Sequence, residues 1–533
     1  MAATWLALGL MGAMAPAGAW TLPGLTSAEP PQVETRFGTV VGKRAHGARA
    51  FLGIPYAAAP LGQGRWQPPV PPPAWTGVRQ ATAFGPACPQ AKNAIGGDAT
   101  SEDCLTLNVF TPDDLGDEKL PVMVWIHGGG FLTGSGSLYD MGTLARKGRV
   151  VVVAMNYRLG ALGFFRLPQA DGAGPVPANF GLLDQQAALR WIRSEIAQFG
   201  GDPGRVTLFG QSAGGAGVCM HLVSPGSAGL VHRAIMQSGL CTPVASPTAA
   251  SLQADAAALA EGLGCPAGPA QLDCLRQKPA AEVVAASAGS GTVVEQGGLR
   301  WAPVPDGVSL PGDPAELVRA GRFQRLPVLL GSNHDEGRYY VAMDYHLKNL
   351  LPVSSRQFSD GLLRAADGDA GFAATLSGTY TTHIYGTRDK ALGAVITDLL
   401  ASCKTLRQAD DFAQHTRIYH YEFNEPSTPG MFDPYMNMGA FHAVELRYLF
   451  QVKLAGPTFD LPLSRAQQQL ADTLVGYWSG FAAAGVPQAA GGPAWPAYTP
   501  AQPSSLAFTS KAIQLFGRDA FRQDHHCDLW DAR

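Results

Sequence analysis

The sequence predicts an α/β fold: one large, mostly parallel mixed β-sheet with helices on both faces and long loop insertions. Three observations carry that expectation. Short runs rich in Val and Ile show no polar alternation, as strands buried on both faces require. Segments of helical apolar spacing follow them, in β-α-β order. No tandem repeat, charge block or Ser/Gly linker divides the 533-residue chain, so residues 30–533 are expected to form a single domain. Length alone would suggest roughly three or four domains. The 64 Gly and 41 Pro instead assign the surplus to loops inserted around one sheet.

Taken in order, residues 121–126 and 150–155 read as buried strands. A helix is predicted over 181–199, where Leu182, Leu183, Ala187, Trp191, Ile192 and Ile196 share helical spacing. Gly200-Gly201-Asp202-Pro203 stops it. Residues 206–209, 327–331 and 417–423 read as further strands. Residues 463–484 form an amphipathic helix ended by Gly485 and Pro487, while 68–73 and 485–500 read as surface loops.

Composition excludes several classes of function. Hydrophobic residues reach 46% and charged residues only 15%, enough for a large core and too apolar for global disorder. With 39 Lys and Arg against 42 Asp and Glu, the net charge of −3 lacks the basic excess that nucleic acid selects. Beyond the N-terminus no apolar run is long enough to cross a membrane. Residues 1–19, apolar, free of acidic side chains and ending in an Ala-x-Ala site, read as a secretory signal extending at most to about 28. That address makes the chain secreted or periplasmic.

The eight cysteines are too sparse for a disulfide scaffold and show no C-x-x-C pair for zinc or thioredoxin chemistry. Cys88 with Cys104, and Cys265 with Cys274, would each close a short loop rich in small residues, which suits an oxidising compartment. Spacing alone leaves the connectivity open.

The chemistry concentrates at Gly210-Gln211-Ser212-Ala213-Gly214, a G-x-S-x-G pentapeptide between a strand and a small-residue helix. The pentapeptide recurs by chance; its setting gives it weight. A serine hydroxyl attacks an ester only if a base takes its proton, and the resulting oxyanion needs preorganised donors. His127-Gly128-Gly129-Gly130-Phe131 directly follows a strand, and the amides of Gly129, Gly130 and Ala213 are the candidate oxyanion hole. For the acid, Asp335 and Glu336 compete, since neighbours in extended chain point opposite ways. For the base, seven histidines follow: His346, His383, His415, His420, His442, His525 and His526. His442, in a small-residue loop, ranks first. No metal or organic cofactor is expected.

Taken together the motifs resemble the type B carboxylesterase and cholinesterase family of α/β-hydrolases. They include Phe51-Leu52-Gly53-Ile54-Pro55-Tyr56, Ser101-Glu102-Asp103-Cys104-Leu105, Asn156-Tyr157-Arg158-Leu159-Gly160 and Phe199-Gly200-Gly201-Asp202-Pro203, with residues 127–131, 179–185 and 210–215. The match runs from about Val33 to Trp530. It implies a serine esterase with Ser212 as nucleophile, Glu336 as acid and His442 as base, and an oxyanion hole at Gly129, Gly130 and Ala213. It also implies bridges Cys88 to Cys104, Cys265 to Cys274 and Cys403 to Cys527. Cys219 and Cys241 fall outside these pairings, free or joined to each other.

Two departures bear on substrate. The loop from Cys88 to Cys104 holds no aromatic residue, and the neutral Gln211 stands where cholinesterases carry a carboxylate. Both remove attraction for a cation, so small uncharged carboxylic esters are expected over choline esters. A lipase, amidase or acyltransferase would share the triad. A non-catalytic cholinesterase-like adhesion module would usually have lost the serine.

Overall fold

Strand Leu120–Ile126 is buried at every position, as are Val151–Met155 and Val328–Asn333, because helices cover both faces of the sheet they join. The computed structural model describes residues 29–91, 99–167, 177–243, 246–289, 298–349, 351–430, 436–453 and 461–532. The expected signal segment lies outside the described residues.

Among the described residues these strands belong to one 11-stranded sheet. Its parallel centre runs, in spatial order, Val151–Met155, Leu120–Ile126, Gly201–Gln211, Arg233–Gln237, Val328–Asn333, Ile418–Phe423 and Ser504–Phe508. Antiparallel strands extend both edges: Thr106–Pro112, Ala48–Pro55 and Lys43–Ala45 on one side, Ile513–Gly517 on the other. Register brings the strand ends level, with Gly210 beside Ile126, Gln211 beside Gln237, and Gln237 beside Gly331. The residues that follow these strands therefore emerge along one edge, where parallel sheets place their chemistry.

The predicted strands all form, each within a few residues of its expected bounds. The helix expected over 181–199 is α-helical over Phe180–Glu195 and tightens to a 3₁₀ turn over Ile196–Phe199. Gly200 then adopts φ 87°, and a side chain there would meet Leu115 Cδ1 at 2.6 Å. Helix Arg465–Ala484 begins with a capping box between Ser464 and Gln467 and ends at Gly485, whose φ of 72° sends its N–H back to Phe481. The short helices between Gly337 and Ala413 were not expected.

A second, smaller core gathers Trp66, Phe165 and Trp301 beside helix Ala249–Gly262, with Trp66 stacked on Phe165 at 4.6 Å. Four disulfides form: the three expected bridges, and Cys219 to Cys241. The fourth ties helix Ala213–Val223 to the segment after strand Arg233–Gln237, which approaches so closely that a side chain at Gly239 would lie 2.5 Å from the Gly215 carbonyl carbon. Among the described residues no helix is long and apolar enough to cross a membrane.

Candidate active site

Strand Gly201–Gln211 ends one residue before Ser212 and helix Ala213–Val223 starts one residue after it. The turn between them puts Ser212 at φ 58°, ψ −127°, a conformation costly for any residue with a β-carbon. Sterics explain the flanking glycines. A side chain at Gly210 would meet the Gly214 carbonyl carbon at 2.5 Å, and one at Gly214 would meet the Ile126 oxygen at 2.0 Å. The Ser212 N–H donates to the Gln237 carbonyl at 2.8 Å and its carbonyl accepts from Ala216 at 3.0 Å. Its hydroxyl has no hydrogen-bond partner among the described residues.

The triglycine segment passes beside this turn: a β-carbon at Gly128 would lie 3.1 Å from Ser212 Cβ. Gly129 and Gly130 take φ 111° and 64°, and a side chain at Gly129 would strike the Thr133 oxygen at 2.2 Å. Here glycine is required. The carbonyl of Gly129 turns away to accept from Leu132 and Thr133, both at 3.0 Å. The amides of Gly129, Gly130 and Ala213 donate to no group among the described residues. Buried His127 steadies the loop by stacking on Tyr157 at 4.4 Å and donating from Nδ1 to the Gly128 carbonyl at 2.9 Å. Burial pushes its imidazole down to about 4, so the ring adds no cation beside the serine.

The acid loop turns the two neighbouring carboxylates to different partners. Glu336 Oε2 accepts from His442 Nδ1, and Glu336 Oε1 accepts from the Asn333 N–H at 2.8 Å. Asp335 faces elsewhere: it exchanges bonds with both backbone groups of Ala440, each at 2.9 Å, and pairs with Arg338 at 2.8 Å. Burial opposes its charge, yet His334 and Arg338 hold the carboxyl down at about 2. Asp335 thus fixes the histidine loop while Glu336 meets the histidine.

A carboxylate only accepts, so the neutral His442 ring carries its proton on Nδ1 and leaves a lone pair on Nε2. That nitrogen takes a bond from the Gln211 side-chain amide at 3.1 Å, one residue from Ser212. Burial pulls the imidazole down, but the Glu336 carboxylate outweighs it and carries His442 above the ordinary histidine value, with Glu445 adding. The rings of Tyr339 and Tyr340 stand 5.7 and 5.5 Å from the imidazole. The other candidate histidines lie elsewhere: His346 pairs with Asp389, His415 with the Arg319 carbonyl, His420 with Ser505, His525 with Asp398 and Glu422, and His526 with Tyr385. His383 sits in the short helix Thr382–Tyr385, exposed.

Behind the triad candidates runs a buried chain that sequence reasoning missed. Asn333 Nδ2 donates to the Phe441 carbonyl at 2.8 Å and to Glu445 Oε2 at 2.6 Å. Gln237 donates to Glu445 Oε1 at 3.1 Å and accepts from Trp478 at 3.0 Å. Burial, reinforced by the Glu336 charge, pushes Glu445 up to about 7. These residues come from four distant parts of the chain, and no local pattern could have joined them.

A sequence model of the carboxylesterase family matches residues 29–530. The para-nitrobenzyl esterase of Bacillus subtilis (strain 168) is 36% identical over 87% of this chain and 92% of its own length. The human cocaine esterase is 34% identical over 89% of this chain and 87% of its own. The acetylcholinesterase of Bungarus fasciatus is 34% identical over 87% of this chain and 80% of its own. The strand–serine–helix turn, the free glycine amides and the likeness to named esterases agree: the chain belongs to the carboxylesterase family and is a carboxylic-ester hydrolase.

Proposed function

We propose that Ser212, His442 and Glu336 form a catalytic triad, with Gly129, Gly130 and Ala213 as the oxyanion hole, in one catalytic domain beginning near residue 30. The observation that carries this reading is the set of three free amides beside a serine held at φ 58°. In the first step His442 Nε2 takes the Ser212 proton as Oγ bonds to the ester carbonyl carbon. Glu336 holds the ring in the needed tautomer and stabilises the imidazolium. The three amides bind the oxyanion, each donor supplying roughly 3 kcal/mol. The imidazolium then protonates the departing alkoxide, and water repeats the sequence to release the acid. The Gln211 amide must yield Nε2 for the first proton transfer.

Uncharged esters are the proposed substrates, because Gln211 places no carboxylate beside the serine. The four disulfides and the leader-like residues 1–19 support a secreted or periplasmic protein. Ser212→Ala should lower p-nitrophenyl butyrate hydrolysis by about 10⁶-fold; retention of most of that activity would reject the triad. Equal turnover of butyrylthiocholine and an uncharged thioester of the same acyl length would reject the substrate preference.

A further inference from the structure

A second polar cluster lies behind the acid loop, and ester hydrolysis does not use it. His334 follows strand Val328–Asn333, Glu422 lies near the end of Ile418–Phe423, and Asp524 and His525 close helix Arg518–Asp524. All four line a cavity of about 610 Å³. The Asp524 side chain is 57% exposed, so the cluster is reachable from solvent.

The two histidines are held alike. His334 places Nε2 3.2 Å from Asp524 Oδ2 and Nδ1 3.2 Å from Asp335 Oδ1. His525 places Nε2 2.6 Å from Glu422 Oε1 and Nδ1 2.7 Å from Asp398 Oδ1. One ligand atom each from His334, Asp524 and His525 lies within 4.8 Å of the others.

We propose that His334 Nε2, His525 Nε2 and Asp524 bind a divalent transition metal ion of the zinc class, with the fourth position open to the cavity. Two imidazole nitrogens with one carboxylate oxygen suit zinc, whereas calcium and magnesium take oxygen alone. Asp335 and Asp398, each on the far nitrogen of a histidine, are the outer carboxylates that orient metal-bound imidazoles. Distances support the assignment. The 3.2 Å from His334 Nε2 to Asp524 exceeds that of a charge-assisted hydrogen bond. It approaches the roughly 3.3 Å edge of a tetrahedron with metal bonds of about 2.0–2.1 Å. Seating the ion requires Glu422 to give up its 2.6 Å contact with His525 Nε2. With both nitrogens of each ring facing carboxylates, each ring carries two protons. The entering dication replaces the two Nε2 protons, which pass to solvent, and the charge of the cluster is conserved. The ion would clamp helix Arg518–Asp524 to the strand that leads into Glu336.

The test is calorimetric titration of the chelator-treated full chain with zinc chloride alone, followed by thermal unfolding. One zinc per chain and a raised unfolding midpoint are expected. Asp524→Ala changes an exposed side chain, and His334→Gln serves as a second variant. Each should weaken zinc binding by more than about 100-fold, beyond the loss typical of outer carboxylates. Asp360→Ala, at an exposed pair with Arg356, should leave it unchanged. Lack of saturable binding at stoichiometric zinc, or binding as tight as the parent's in Asp524→Ala and His334→Gln, would overturn the proposal and leave a network of ion pairs.

Discussion

His442 and His525 are both buried beside carboxylates, at 9% and 3% exposure, and end in opposite conditions. His525 meets a carboxylate at each nitrogen. Burial opposes its charge, but Asp398 and Glu422 lift it to about 10, so without a metal ion both its nitrogens hold protons. His442 meets Glu336 at one nitrogen only and turns the other toward the serine turn, where it meets a neutral amide. A carboxylate neighbour alone therefore does not make a general base. Under the proposed triad the second nitrogen decides: it is held only by the neutral Gln211 amide, with no acid at that position.

The comparison breaks most sharply if the two histidines are not distinct in function. His442→Ala should reduce kcat by about 10⁶-fold, as loss of one member disables a triad; steady-state kinetics on p-nitrophenyl butyrate read this directly. Next, Glu336→Gln should cost about 10⁴-fold by removing the acceptor that fixes the tautomer. Asp335→Asn should cost less than about tenfold, since Asn keeps an acceptor for Ala440. The reverse order would move the acid to Asp335. At the other histidine the effect falls on stability. Asp398→Asn should lose about 3–5 kcal/mol in urea unfolding, the range for breaking a buried pair, with kcat within about twofold of the parent.

The smallest effects are on pH. Under the proposed triad His442 must be neutral to accept a proton, and since it sits above its ordinary value, kcat/KM should fall on the acid side with a midpoint above 6.5. Glu445→Gln removes a nearby negative charge and should lower that midpoint. Glu445 itself is raised from 4.5 to about 7. Its contribution to stability is complete below 4.5 and is lost as pH rises through about 7, so Glu445→Gln should flatten the fall of stability across that window.

Much of this was legible in the sequence where the signal is local. A run such as 121–126 declares a buried strand, and Gly210 to Gly214 declares its turn, because the steric demand falls on residues adjacent in the chain. Contacts between distant segments were not legible. Asp335 and Glu336 are equivalent as letters, and only the return of Ala440 to the backbone of Asp335 separates them. Resemblance had indicated Glu336 as the acid, and Glu336 is the one of the two that meets His442. Cys219 and Cys241 carry no local signal of their bridge, which forms because helix Ala213–Val223 packs against the segment near Gly239. Strand Ala48–Pro55, one in from the sheet edge, leaves no clean period because its register shifts between Phe51 and Ile54. The pairing of His334 with Asp524 spans 190 positions and left no spacing to read.

The most direct test of the central claim is covalent labelling with a fluorophosphonate, located by peptide mass spectrometry. One adduct per chain on Ser212, with labelling slowed severely in His442→Ala and proceeding normally in Asp398→Asn, is the predicted result. An adduct on another serine, or labelling of Ser212 at full rate without His442, would contradict it.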